Sequence, residues 1–145
     1  MAKGFNISLD NRKINKVLNE LKDTVDDKTF MIDAEIAAQG EQMARNAKNI
    51  VPVDSGFLKG KISLKKNTFL NYELVAQSNY AAYVEFGTGS YAASYVPSLD
   101  EEWQTLAKQF YKNGAGRLPA RPYMAPSIAL YTPELVKQIK DILND

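Results

Sequence analysis

The chain has 145 residues, 45% hydrophobic and 24% charged, with 18 basic against 17 acidic side chains. A near-neutral balance gives no global field to gather a polyanion, which disfavours nucleic acid as the main ligand. The absence of histidine and cysteine removes imidazole bases, thiolate nucleophiles, disulfides and Cys/His zinc sites, leaving carboxylates, lysine, tyrosine and hydroxyls for any chemistry.

The first residues lack the apolar core of a secretory signal, and no run approaches the roughly 20 apolar residues of a membrane span, so a soluble chain is expected. From Asp10, read as an N-cap, Ile14, Val17, Leu18, Leu21 and Val25 recur at helical spacing and predict a helix over 11–25. Ile32, Ile36, Met43, Ala47 and Ile50 continue a second stripe, predicting a long helix over 29–49 that Pro52 ends. Gly40 inside it costs roughly 1 kcal/mol relative to alanine, and a close packing contact there is the expected offset.

After "VPVDSG" the period changes to two. Ile62 and Leu64 alternate with Lys61, Ser63 and Lys65, and Leu70, Tyr72, Leu74 and Ala76 alternate with Asn71, Glu73, Val75 and Gln77. This predicts an antiparallel hairpin turning at "KKNT", with further strand pairing or helix cover needed to stabilise it. "SYAASYVP" reads as irregular. Ser98 to Glu101 spells a capping box ahead of Trp103, Leu106, Ala107, Phe110 and Tyr111, a short amphipathic helix over 99–112. Thr132 as N-cap and Pro133 at the first position open a last helix carrying Leu135, Val136, Ile139, Ile142 and Leu143. The expected architecture is α+β in a single domain over 1–145: long N-terminal helices on a small antiparallel sheet, an inserted amphipathic helix and a C-terminal helix.

Four places could carry chemistry. Asp54 and Glu85 are carboxylates in glycine- and hydroxyl-rich settings. They would serve as an acid and base pair only if they shared a cleft; otherwise Asp54 caps a turn and Glu85 pairs with a base such as Arg121. "GTG" at 87–89 lacks the spacing of a phosphate loop or dinucleotide fingerprint and reads as a tight turn. Lys59, Lys61, Lys65 and Lys66, flanked by Phe57 and Phe69, could track a nucleic-acid backbone or could guard a strand edge. Tyr80, Tyr83, Tyr91 and Tyr95, with Phe86 among them, fit loop anchoring or a protein interface.

Three segments taken together, "VPVDSGFLKGKI" (51–62), "SNYAAYVEFGTG" (78–89) and "LPARPYMAPSI" (118–128), resemble the gene-ten-like neck and tail-completion proteins of long-tailed bacteriophages. The resemblance covers about 29–143 in order. Ser55 stands where threonine is usual, Phe57 where a basic residue is common, and Tyr123 where phenylalanine is usual. The stretch 90–117 is longer than the family's spacer and reads as an insertion.

The resemblance implies a structural virion protein with no cofactor, no metal and no turnover. It would form a ring with copies of itself, sixfold in preference to twelvefold, at the head-to-tail junction, and dock the tail on the head-closure complex. It implies contact with neighbouring neck and tail proteins, and location in the virion after assembly in the host cytoplasm. Asp54, Ser55 and Gly56 would form the turn after the long helix. Tyr80, Tyr83, Glu85, Phe86, Gly87 and Thr88 would form the signature segment, with Arg121 and Pro122 packing against it. An ion pair between Glu85 and Arg121 is expected as the charged link between the two. The alternative function is a DNA-channel binding module using the lysines of 59–66.

Overall fold

The computed structural model describes residues 4–9, 13, 14, 16, 27–52, 56–110 and 116–145. Most of the predicted first helix, 11–25, and Asp54 and Ser55 of the first motif lie outside them; Lys13, Ile14 and Lys16 are helical, and Ile14 is buried. The chain runs through strand β1 (Phe5–Ser8), helix α1 (Asp27–Ile50), the single turn α2 (Gly56–Lys59), β2 (Ile62–Thr68) and β3 (Asn71–Ala76). It continues through α3 (Ala81–Phe86), α4 (Gly89–Tyr95), a 3-10 turn (Val96–Ser98), α5 (Glu101–Ala107) and α6 (Met124–Leu143). The fold is α+β, with a long helix on a three-stranded antiparallel sheet of order β1-β3-β2.

The strand Phe5–Ser8 supplies the extra pairing that the hairpin needs. Phe5 lies opposite Ala76 and Ile7 opposite Leu74, while Ile62 and Leu64 meet the same two residues from the other side. Four residues are too few for a period of two to declare itself in sequence, so β1 was not expected. Tyr72, Leu74 and Ala76 face the core as predicted, and Val75 is buried as well.

The hairpin turns at Phe69 and Leu70 rather than at "KKNT", and a bulge lies between Lys66 and Thr68. Leu70 takes a left-handed φ of 68°, which costs a side-chain-bearing residue about 1–2 kcal/mol. Asp33 on α1 offsets it. Its Oδ1 accepts the Leu70 amide at 2.8 Å, and its Oδ2 accepts from the Tyr72 hydroxyl and Lys66 Nζ, both at 3.1 Å.

Helix α1 buries Ile32, Ile36, Met43 and Ala47 of the stripe that the sequence shows, whereas Ile50, its last residue, is exposed. Gly40 has the expected close contact: a methyl group there would stand 2.7 Å from Leu64 Cδ1 and 3.1 Å from Leu9 Cδ1, so helix and sheet meet closer than alanine permits. The long helix and α6 run antiparallel. Lys28 donates to the carbonyls of Leu143 and Asp145 at one end, and Asn46 donates to Ser127 Oγ at the other. Lys28 thereby places a cation at the negative end of the α6 dipole.

Three expectations about the helices are corrected. Helix α6 begins at Met124, not at Pro133, so Pro133 lies inside it and Thr132 Oγ1 donates back to the Ile128 carbonyl at 2.6 Å. The Ser98 capping box does not form: Ser98 Oγ donates to the Tyr95 carbonyl, and Asp100 is the N-cap of α5. "SYAASYVP" is helical rather than irregular, as α4 and the 3-10 turn. Within the 90–117 stretch, Ala92, Val96, Trp103 and Ala107 belong to the core, with Trp103 edge-on to Phe86 at 6.1 Å.

Candidate functional site

The second and third motif segments meet at one junction. Helix α3 presents Ala81, Ala82, Val84, Glu85 and Phe86 inward. Phe86 packs between Phe5, at 5.9 Å, and Trp103. Gly87 ends the helix at φ 77° and ψ −175°, a region that side-chain-bearing residues essentially never adopt. A Cβ there would stand 2.7 Å from the Ala120 nitrogen and 2.9 Å from the Leu118 carbonyl, so the two segments touch backbone to backbone.

Around that contact, Thr88 pairs with Leu118 twice. Its amide donates to the Leu118 carbonyl at 2.9 Å, and its Oγ1 accepts the Leu118 amide at 2.8 Å. One turn back, the Arg121 amide donates to the Val84 carbonyl at 2.8 Å. Pro122, half-buried, follows this contact.

Glu85 completes the junction, and it corrects the expected ion pair. Its side chain has no exposure, and its partners are three backbone amides: Tyr123 at 3.1 Å and Met124 at 2.7 Å on Oε1, and Ala125 at 3.1 Å on Oε2. Arg121 is exposed and joins the segment through its peptide group instead. The physical reason lies in the helix: α6 starts with unsatisfied amides, and these satisfy the buried carboxylate without requiring the Arg121 guanidinium to give up its water. Glu85 thus does from 39 residues away what an N-cap residue does locally, which is why α6 starts without a local side-chain cap.

Burial pushes the Glu85 carboxyl up to about 7, against the downward pull of the three amides. Burial, then the Glu85 charge, pushes the nearby Tyr95 hydroxyl up to about 12. Burial also raises Tyr123, whose hydroxyl donates to the Ala81 carbonyl at 2.8 Å. With every donor at the carboxylate a peptide group and no exposed surface, Glu85 does not present an oxygen to a substrate.

The remaining motif tyrosines are half-buried packing residues. Tyr80 lies 6.5 Å from the Phe57 ring, and Tyr83 stands edge-on to Phe110 at 6.3 Å. Gly56 opens the single-turn helix α2 within the first motif.

The four lysines do not form one patch. Lys66 points to the α1 side of the sheet, where it bonds Asp33, whereas strand alternation sends Lys61 and Lys65 to the opposite face. Lys61 lies 5.0 Å over the Phe57 ring, and Lys59 sits on the preceding turn. Asp33 itself was missed in sequence, because an aspartate between Ile32 and Ile36 reads as the ordinary polar flank of an amphipathic helix. Burial pushes its carboxyl up, but the Leu70 amide, Lys66 and Tyr72 together hold it below the usual range.

The described residues also frame a groove of about 700 Å³ between α5 and α6, lined by Asp100, Glu101, Trp103, Ile128 and Thr132 among others. Among the described residues no cluster of acids is arranged to hold a metal ion, and no helix is long and apolar enough to cross a membrane. No family model, no curated protein and no solved structure matches this chain.

Proposed function

We propose that this chain is a structural protein of the phage neck, forming a ring at the head-to-tail junction and docking the tail to the head-closure complex. The observation that carries the reading is the junction itself. The two motif segments on which the resemblance rests, 80–88 and 118–125, are far apart in sequence and interlock through Glu85, Gly87 and Thr88. A motif used this way marks a protomer scaffold, and the family's signature becomes the device that joins α3 to α6.

Surface character adds support. Phe30 and Phe69 are 67% and 42% exposed with their rings 5.2 Å apart, and Phe57 and Leu130 are 63% and 60% exposed, apolar area suited to burial by neighbouring proteins. The alternative, DNA binding along the lysine strand, draws less support from lysines divided between two faces.

The test is assembly. The purified chain is expected to form, or to be driven by adjacent neck proteins into, closed rings visible by mass photometry and electron microscopy, and its density is expected at the neck of the intact particle. A chain that stays monomeric at high concentration and ignores those proteins overturns the proposal. Salt-sensitive DNA binding abolished by charge reversal at Lys59, Lys61, Lys65 and Lys66 favours the alternative.

A further inference from the structure

Glu85 is a carboxylate sealed inside the fold with peptide amides as its hydrogen-bond donors. Removing a carboxylate from water favours its protonated form, and three converging N–H groups favour the charged one. What surrounds it decides whether anything else intervenes. From α4 the facing titratable group is Tyr95, and from the start of α6 it is Tyr123, with Tyr80 beyond it; all three are phenols, and burial pushes Tyr95 and Tyr123 further up, away from the neutral range. From α5 the inward residue is Trp103, while Asp100, Glu101 and Glu102 are exposed and line the outer groove with Lys13. The first turn of α6 carries no charged side chain, and Arg121 ahead of it is exposed. The balance at Glu85 is therefore struck between burial and three amides.

We propose that Glu85 makes the α3–α6 junction a proton-linked joint. Ionised, the carboxylate accepts the amides of Tyr123, Met124 and Ala125. Protonated by solvent, it carries a hydroxyl whose hydrogen occupies one oxygen. The Ala125 amide is the single bond on Oε2, whereas Oε1 accepts two amides, so Oε2 takes the hydrogen and the Ala125 bond is the one that gives way. The first turn of α6 then loses a cap bond while the buried charge disappears.

Because burial raises this carboxyl to about 7, the two forms exchange in the neutral range, where ordinary carboxylates are fully ionised. The joint also carries the 116–122 segment, which Gly87 and Thr88 clamp to α3, so the proton acts on the link between two motifs. This property belongs to the protomer and does not depend on the assembly role proposed above.

The experiment is a pH titration of the intact chain by NMR with carboxyl-labelled glutamate, following the Glu85 carboxyl carbon and the amides of 123–125 from pH 5 to 9. The expected result is one titration step near neutrality in the carbon, shared by the Tyr123, Met124 and Ala125 amides, with Ala125 moving most. In Glu85→Gln the same amides stay flat across that range. If this variant does not fold, through-bond assignment in the unaltered chain supplies the same readout. A carbon that titrates below pH 5, one that stays unchanged across the range, or amides that stay fixed while it titrates overturns the proposal.

Discussion

Two carboxylates, Glu85 and Asp33, perform the same structural task in different surroundings. Each accepts three hydrogen bonds and ties a helix to a segment distant in sequence: Glu85 joins α3 to the start of α6, and Asp33 joins α1 to the hairpin turn. Glu85 is sealed and bound by peptide groups alone, whereas Asp33 keeps 13% exposure and has a lysine and a phenol beside the one amide. Their carboxyls move in opposite directions, Glu85 upward and Asp33 downward. Equal numbers of hydrogen bonds therefore do not fix the electrostatics of a junction; burial and the presence of a cation do.

The sharpest break in the comparison is Glu85→Ala. It orphans three amides, two of them at buried residues, and leaves a cavity, for an expected loss of about 3–5 kcal/mol in urea unfolding. A loss under 1 kcal/mol would place the stability of the junction in Gly87 and Thr88 instead.

Next in size is the response to pH. The folded Glu85 carboxyl stands at about 7 against an ordinary 4.5, so folding takes up a proton between those values. Its contribution is full below 4.5 and is lost as pH rises through about 7. Unfolding midpoints are expected to fall between pH 5 and pH 8 by the equivalent of about 2 kcal/mol, a slope that Glu85→Gln removes. Asp33 runs the other way: held below 3.8, it contributes above that value and its contribution is lost as pH falls further. The acid limb of the stability profile is therefore expected to shift in Asp33 variants and not in Glu85 variants.

The smallest effect is that of Asp33→Ala, about 1–2 kcal/mol, because water can reach the groups it leaves. Asp33→Asn, which keeps an acceptor for the Leu70 amide, is expected to recover part of it. Equal losses for the two variants in thermal unfolding would assign the effect to the Lys66 pair rather than to the turn.

What the sequence displayed and what it hid divide along the same line, between local and distant causes. The stripe of Ile32, Ile36, Met43 and Ala47 and the alternation of Tyr72, Leu74 and Ala76 are local patterns, and both elements lie where the spacing puts them. The demand of Gly40 for a close neighbour was legible for the same reason.

Helix α6 shows the opposite case. Thr132 and Pro133 spell a helix start, yet the helix already runs through them, since its cap comes from Glu85 and no local pattern reports that. The motif segments were correctly expected to meet, as Gly87 and Thr88 do with Leu118 and Arg121 does with Val84. The charged residues of those segments invited an ion pair, because sequence shows side chains and the actual link runs through the peptide groups of 121 and 123–125.

The strand order β1-β3-β2 has a kinetic consequence. The β2–β3 hairpin needs only a two-residue turn and can form on a timescale of about 1–10 μs, like other hairpins. Phe5 must find Ala76 across about half the chain, and Lys28 must find Leu143 across about four-fifths of it, so both contacts carry the loop-closure cost of distant partners. The central strand is thus offered one neighbour early and the other late, and until Phe5–Ser8 arrives its second edge lies open to strands of other chains.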